Sequence, residues 1–197
     1  MKASIDLHPS MDNDGLSFFN KSLENSSCYL EYGSGGSTYY ATTKHKVRAV
    51  ISVDSDIKYL ESVKSKIDHY ENEIHLLHCD IGPVGDWGWP IDRSKSDQFW
   101  SYPTSPWKTA RENNLYPDTV LIDGRFRVAC FLYSLIASRP GTLLLFDDYF
   151  DRPEYFVVED FCELGGRHGR LAHFFTSKQF DVKHLTATLM QNVMTPK

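Results

Sequence analysis

Five short apolar runs alternate with helix-patterned stretches, and every run has an acid at or just past its end. The runs cover residues 28–32, 47–53, 74–78, 119–122 and 142–146, and the acids are Glu31, Asp54, Asp80, Asp123 and the pair Asp147-Asp148. Between the runs, residues 56–70 place Ile57, Leu60, Val63 and Ile67 at helical spacing, and 126–138 is an apolar helix stopped by Arg139-Pro140-Gly141. Strands covered on both faces read as continuous apolar runs, and their alternation with helices is the mark of parallel βα units. Right-handed crossovers then predict an α/β, doubly wound, mostly parallel sheet. Shorter helices are expected over 15–25, with Leu16, Phe19 and Leu23 on one side, and over 38–45, while residues 1–14 read as a loose lead-in. Beyond residue 150 the pattern changes, to a helix over 154–164 and a closing antiparallel pair over 169–176 and 181–189.

Composition narrows the function classes. A chain of 197 residues suits one domain with a full core. A net charge of −5 argues against a general nucleic-acid surface. No apolar run is long enough to span a membrane, and residues 1–15 lack the apolar core of a signal peptide. Cys28, Cys79, Cys130 and Cys162 are far apart and form no C-x-x-C pair, which disfavours zinc and predicts reduced, mostly buried thiols in a cytoplasmic protein.

The stretch from Tyr29 to Thr38 reads as strand, glycine loop and helix start, with Gly33, Ser34, Gly35 and Gly36 in the turn. A loop without β-carbons lets a ligand lie against the backbone, and a helix start offers free N–H groups. Such a site suits an adenosine-type ligand carrying a negative group. Its spelling departs from the dinucleotide fingerprint, because Thr38 stands where a third glycine belongs and Glu31 lies two places before the first. A plain turn between two core elements is the alternative.

Ligands of open α/β sheets bind beyond the carboxyl ends of the strands, so five acids in a row at those ends predict a shared site. Asp54 follows the glycine loop by one βαβ half, where a carboxylate accepts from ribose hydroxyls; it can equally cap the helix that begins near Asp56. Asp80, one strand further out, is a candidate acceptor for an adenine amino group or a turn cap.

The glycine motif resembles the first motif of class I S-adenosylmethionine-dependent methyltransferases. Asp118-Thr119-Val120-Leu121-Ile122-Asp123-Gly124, followed by Leu143-Leu144-Leu145-Phe146-Asp147-Asp148-Tyr149, resembles the small O-methyltransferases of the catechol, caffeoyl and macrocin type. The resemblance spans about residues 28–150. It implies a Rossmann-like seven-stranded sheet whose last strand runs antiparallel, S-adenosylmethionine as cofactor, methyl transfer to a small-molecule hydroxyl and, in many members, magnesium. It places Glu31, Gly33, Ser34, Gly35 and Gly36 at the methionine end of the cofactor, Asp54 at ribose, and Asp80 with Ile81 at adenine. Asp123 and Asp147 match metal-ligand positions, Asp148 takes the place of a third ligand, and Asp123 is the candidate catalytic residue as metal ligand or base. Three clustered carboxylates repel unless a cation intervenes; magnesium suits such oxygens, and Arg125 or Arg127 is the competing neutraliser.

Two features depart from that pattern. Asp123-Gly124 is followed by Arg125-Phe126-Arg127, where related proteins often carry His or Tyr; Arg125 is a candidate to hold an anionic group of the substrate. The segment 82–117 holds all four tryptophans and five prolines, and it reads as an aromatic insertion that shapes the acceptor pocket, Trp107 included, or buries a dimer face. His168, in Gly165-Gly166-Arg167-His168-Gly169-Arg170, reads as part of a turn. Two rival readings stay open: a nicotinamide-dependent oxidoreductase, which the missing third glycine argues against, and a non-catalytic binding module on the same fold.

Overall fold

The computed structural model describes residues 8–67 and 72–197. Its centre is a seven-stranded sheet in the order β3-β2-β1-β4-β5-β7-β6. The strands are β1 (Cys28–Tyr32), β2 (Ala49–Asp54), β3 (Glu73–His78), β4 (Thr119–Ile122), β5 (Leu143–Phe146), β6 (Leu164–His168) and β7 (Leu171–Phe175). The first five pair parallel, and β7 lies antiparallel between β5 and β6. The doubly wound sheet with an antiparallel C-terminal strand is therefore the observed architecture.

Side chains alternate across the pleat, so each strand serves two layers. Leu30, Tyr32, Ile51, Val53, Val120, Ile122, Leu144 and Phe146 face one core, which is covered by helices α4 (Ser101–Glu112), α5 (Arg127–Ala137) and α6 (Val182–Asn192). Tyr29, Val50, Leu121 and Leu145 face the other, against Phe19 and Leu23 of α1 (Asn13–Glu24) and Tyr40 and Ala41 beyond α2 (Gly36–Tyr39). The remaining helix, α3 (Ile57–Lys64), is started by Asp56, whose carboxylate accepts from the N–H groups of Lys58 and Tyr59. The far end of the helix expected over 56–70 lies partly outside the described residues. All four cysteines are buried free thiols, and burial pushes Cys28 up to about 12.

Three expectations need correction. Residues 181–189 are helical, because Asp181 caps the N-terminus of α6 and Leu185 and Leu189 share the face that meets the core. The antiparallel pair is instead the β6–β7 hairpin, which puts His168 in a strand rather than a turn; the stretch expected as a helix over 154–164 forms a 3-10 segment, Pro153–Asp160, before it. The aromatic segment 82–117 is not one insertion: its second half is α4, the crossover helix between β3 and β4. Trp107 on that helix is buried and donates from Nε1 to Ser134 Oγ on α5 at 3.1 Å, so it belongs to the core.

Candidate active site

Adjacent strands end in register, which brings the acids to one edge. Gly33 N donates to Val53 O at 2.9 Å, Asp123 N to Tyr32 O at 3.0 Å and Asp147 N to Ile122 O at 3.1 Å. The order in which successive strands join the sheet reverses direction between β1 and β4, the place where an open sheet forms a crevice. A cavity of about 750 Å³ opens there, within the usual size of small-molecule sites. Its wall includes Gly33 to Ser37, Asp54 to Asp56, Trp87 to Trp89, Asp123 to Arg125, and Asp148.

The glycine loop is held by backbone contact. Gly33 has a φ of +95°, and a β-carbon there would stand 2.9 Å from the Cα of Gly124. The loops after β1 and β4 thus touch main chain to main chain, which requires glycine. Behind the loop, Glu31 is fully buried and does not reach the cavity wall. It accepts from Tyr29 Oη at 2.8 Å and from Thr38 Oγ1, and Thr38 Oγ1 in turn accepts from Gly35 N at 2.8 Å. Thr38, in the place of the missing third glycine, therefore ties the loop to Glu31. Glu31 positions the loop rather than lining the site as the motif implied.

Asp54 does line the cavity. Its Oδ2 accepts from Ser34 N at 3.0 Å and its Oδ1 from Asp56 N at 2.8 Å, so one carboxylate joins the glycine loop to the start of α3. Burial raises its pKa, and these backbone donors oppose the rise. Each oxygen keeps acceptor capacity for a ligand hydroxyl. Asp80 and Ile81 stand apart: Asp80 is exposed and paired with Lys95, Ile81 is a core residue, and neither lines the cavity.

Asp123, Asp147 and Asp148 come together as the resemblance implied, with one oxygen of each within 4.8 Å of the others. Three arginines meet them. Arg127 Nη2 lies 3.0 Å from Asp123 Oδ1, and Arg127 Nη1 lies 3.2 Å from Asp148 Oδ2. Arg170 engages both oxygens of Asp147, at 3.2 and 3.0 Å, and reaches Asp148 Oδ1 at 3.0 Å. Arg152 adds a contact to Asp148 Oδ2 at 3.3 Å. Three carboxyl groups thus face three guanidiniums, and Asp147 sits beneath the cavity rather than on its wall. The cluster does not fit magnesium: three guanidiniums already face its three carboxyls, and of the six carboxylate oxygens only Asp123 Oδ2 has no arginine against it, so an ion would have to displace cations to gather its ligands. We expect magnesium added to chelator-treated protein to leave Tm unchanged; a rise of several degrees in a thermal scan would show that the arginines yield to the ion.

Burial raises the pKa of Asp123 to about 7; Arg127 opposes the rise, and Asp147 and Asp148 add to it. A carboxylate in that range is suited to proton abstraction at neutral pH. Phe126 and Asp148, each with a φ of +56°, hold left-handed conformations in the loops after β4 and β5.

Several wall residues had no strong signal in the sequence. Residues 8–11 of the lead-in line the cavity, and Arg170 contacts Ser10 O there. Arg170 approaches Asp147 only through the β6–β7 hairpin. Of the tryptophans, Trp87 and Trp89 reach the cavity and Trp100 is exposed outside it. Residues 1–7 of the lead-in lie outside the described residues.

The chain is similar to solved structures of methyltransferases and methyltransferase-like proteins. A methyltransferase-like protein from Silicibacter pomeroyi DSS-3 is 32% identical over 97% of this chain and 100% of its own, with a TM-score of 0.87. A caffeoyl-CoA O-methyltransferase-like protein from Staphylococcus aureus matches at 12% identity, over 86% of each chain, with a TM-score of 0.57. A methyltransferase from Geobacter sulfurreducens matches at 10% identity, over 86% of this chain and 82% of its own, with a TM-score of 0.53. The last two show the shared fold. No family model matches the chain, and no curated protein does.

Proposed function

The chain belongs to the methyltransferase-like family with the class I S-adenosylmethionine-dependent fold, and from that premise we propose that it transfers a methyl group from S-adenosylmethionine to a hydroxyl oxygen of a small-molecule acceptor, with Asp123 as the base. The observation that carries this reading is the single cavity wall shared by the glycine loop, Asp54 and Asp123. S-adenosylmethionine supplies the electrophilic methyl group. Gly33 to Gly36 line the cavity where its methionine end would lie, and Asp54 would accept from the ribose hydroxyls.

Arg127 occupies Asp123 Oδ1 and leaves Oδ2 for the acceptor hydroxyl proton. Oδ2 would take that proton as the acceptor oxygen receives the methyl group the cofactor would supply, leaving the cofactor as its neutral thioether. The remaining task of the protein is to hold the reacting groups close and collinear, and Trp87 and Trp89 can help exclude water. The proton goes to a protein carboxylate in this reading, with no magnesium step, because the arginines occupy the acidic cluster. The acceptor is a small molecule, and no nucleic-acid or membrane partner is invoked; among the described residues no helix is long and apolar enough to cross a membrane.

Calorimetric titration with S-adenosylhomocysteine tests the cofactor site. We expect micromolar binding to the native protein and a loss of roughly tenfold or more for Asp54→Asn, which replaces a charged acceptor by a neutral one. Binding of NADH with no binding of S-adenosylhomocysteine would move the oxidoreductase reading to first place.

A further inference from the structure

Four arginines line the cavity, and only three of them are matched. Arg127, Arg152 and Arg170 pair with the acidic cluster. Arg125 is 7% exposed, and its Nε and Nη1 have no hydrogen-bond partner among the described residues. Its backbone is fixed on both sides: Arg125 N donates to Tyr102 Oη at 3.3 Å, and its carbonyl accepts from Cys130 Sγ at 3.3 Å. The indole of Trp89 lies against the guanidinium, 4.6 Å from Cζ, which holds the cation without satisfying its donors. A guanidinium enclosed at this level without an anion is costly to the fold, and burial together with the nearby Arg127 lowers its pKa. The cost disappears when a ligand brings an oxyanion.

Position says which ligand. The glycine loop and Asp54 follow β1 and β2, whereas Arg125 follows β4 on the other side of the direction reversal, beside Asp123. We propose that Arg125 anchors an oxyanion of the methyl acceptor, so that the preferred acceptors are hydroxy compounds carrying a carboxylate or phosphate group. The inference rests on the methyl-transfer reading for its account of the other half of the cavity, but Arg125 can be tested without it. A planar guanidinium with unspent donors is matched to either oxyanion, and the hydroxyl of such an acceptor would lie within reach of Asp123.

The test uses sodium benzoate and inorganic phosphate as probes, titrated separately by calorimetry into the full chain with and without saturating S-adenosylhomocysteine. We expect at least one probe to bind saturably with S-adenosylhomocysteine present. Arg125→Gln should weaken that probe by about tenfold or more and leave the S-adenosylhomocysteine affinity within about twofold, and Arg125→Lys should retain part of the probe binding. Failure of both probes on the native protein, or equal binding by Arg125→Gln, would overturn the proposal. So would a loss of S-adenosylhomocysteine affinity in Arg125→Gln that 5′-methylthioadenosine, which lacks the carboxylate, does not share; the guanidinium would then serve the cofactor. If S-adenosylhomocysteine does not bind but a probe binds through Arg125, the cofactor reading fails and the anion site stands.

Discussion

Asp123→Asn is expected to lower kcat by roughly a hundred- to ten-thousand-fold while leaving the affinity for S-adenosylhomocysteine unchanged. The amide keeps the size of the side chain and can still accept from Arg127, but it cannot take a proton. The sign of the pH dependence follows from the raised pKa. Below about 7 the native Asp123 is mostly protonated and inactive as a base, and above it the carboxylate is available. The kcat/KM of the native protein should therefore rise with pH and level off above neutrality, whereas the residual rate of the variant should lack that step. A variant with native kcat would remove Asp123 from the chemistry. If no acceptor turns over with the native protein while S-adenosylhomocysteine still binds, the non-catalytic binding module becomes the better reading.

The largest effect on stability should come from Arg127→Met. This side chain is 4% exposed and donates to the carbonyls of Gly124, Asp147 and Asp123 at 3.0, 2.8 and 3.1 Å, as well as to two carboxylates. It ties the ends of β4 and β5 together and neutralises the acids between them. Removing one partner from a buried ionic cluster costs about 3–5 kcal/mol, so Tm should fall by about 6–20 °C in a calorimetric scan. The carboxylates left behind repel one another, and protonation relieves that repulsion. The deficit should therefore be smaller at pH 5 than at pH 8. Magnesium should raise the Tm of this variant but not that of the native protein, because the variant frees oxygens that Arg127 occupies. A native-like Tm at pH 8 would show that Arg152 and Arg170 alone hold the cluster.

Much of the fold was legible because its signal is local. The runs at 28–32 and 119–122 coincide with β1 and β4. A strand buried on both faces must be apolar throughout, and the turn beyond it needs Gly or Asp whatever the rest of the chain does. The stretch 181–189 misled because apolar and polar residues alternate from Leu185 to Leu189, while the i, i+4 spacing of those two leucines and the Asp181 cap carry the helix. Trp107 misled for a different reason. A tryptophan in a proline-rich stretch says nothing about which way it faces until the helix carrying it is packed, and α4 turns it toward Ser134 on α5.

The sequence by itself determined the first five strands, the glycine loop and the line of acids at the strand ends, since each depends on residues a few positions apart. Only the tertiary structure decided what those acids do. Glu31 went behind the loop, Asp80 to the surface and Asp54 and Asp123 to the cavity, because register and pleat set where each carboxylate points. Arg127 and Arg152 lie four residues from Asp123 and Asp148, but the acidic cluster still resembled a metal site in the sequence because the partner of Asp147 comes from far along the chain. Arg170 arrives on the β6–β7 hairpin, and its distance from Asp147 is fixed by antiparallel pairing with β5 rather than by any spacing in the chain. Charge compensation depends on distance in space, so the pairing that leaves Arg125 unmatched exists only in the folded chain.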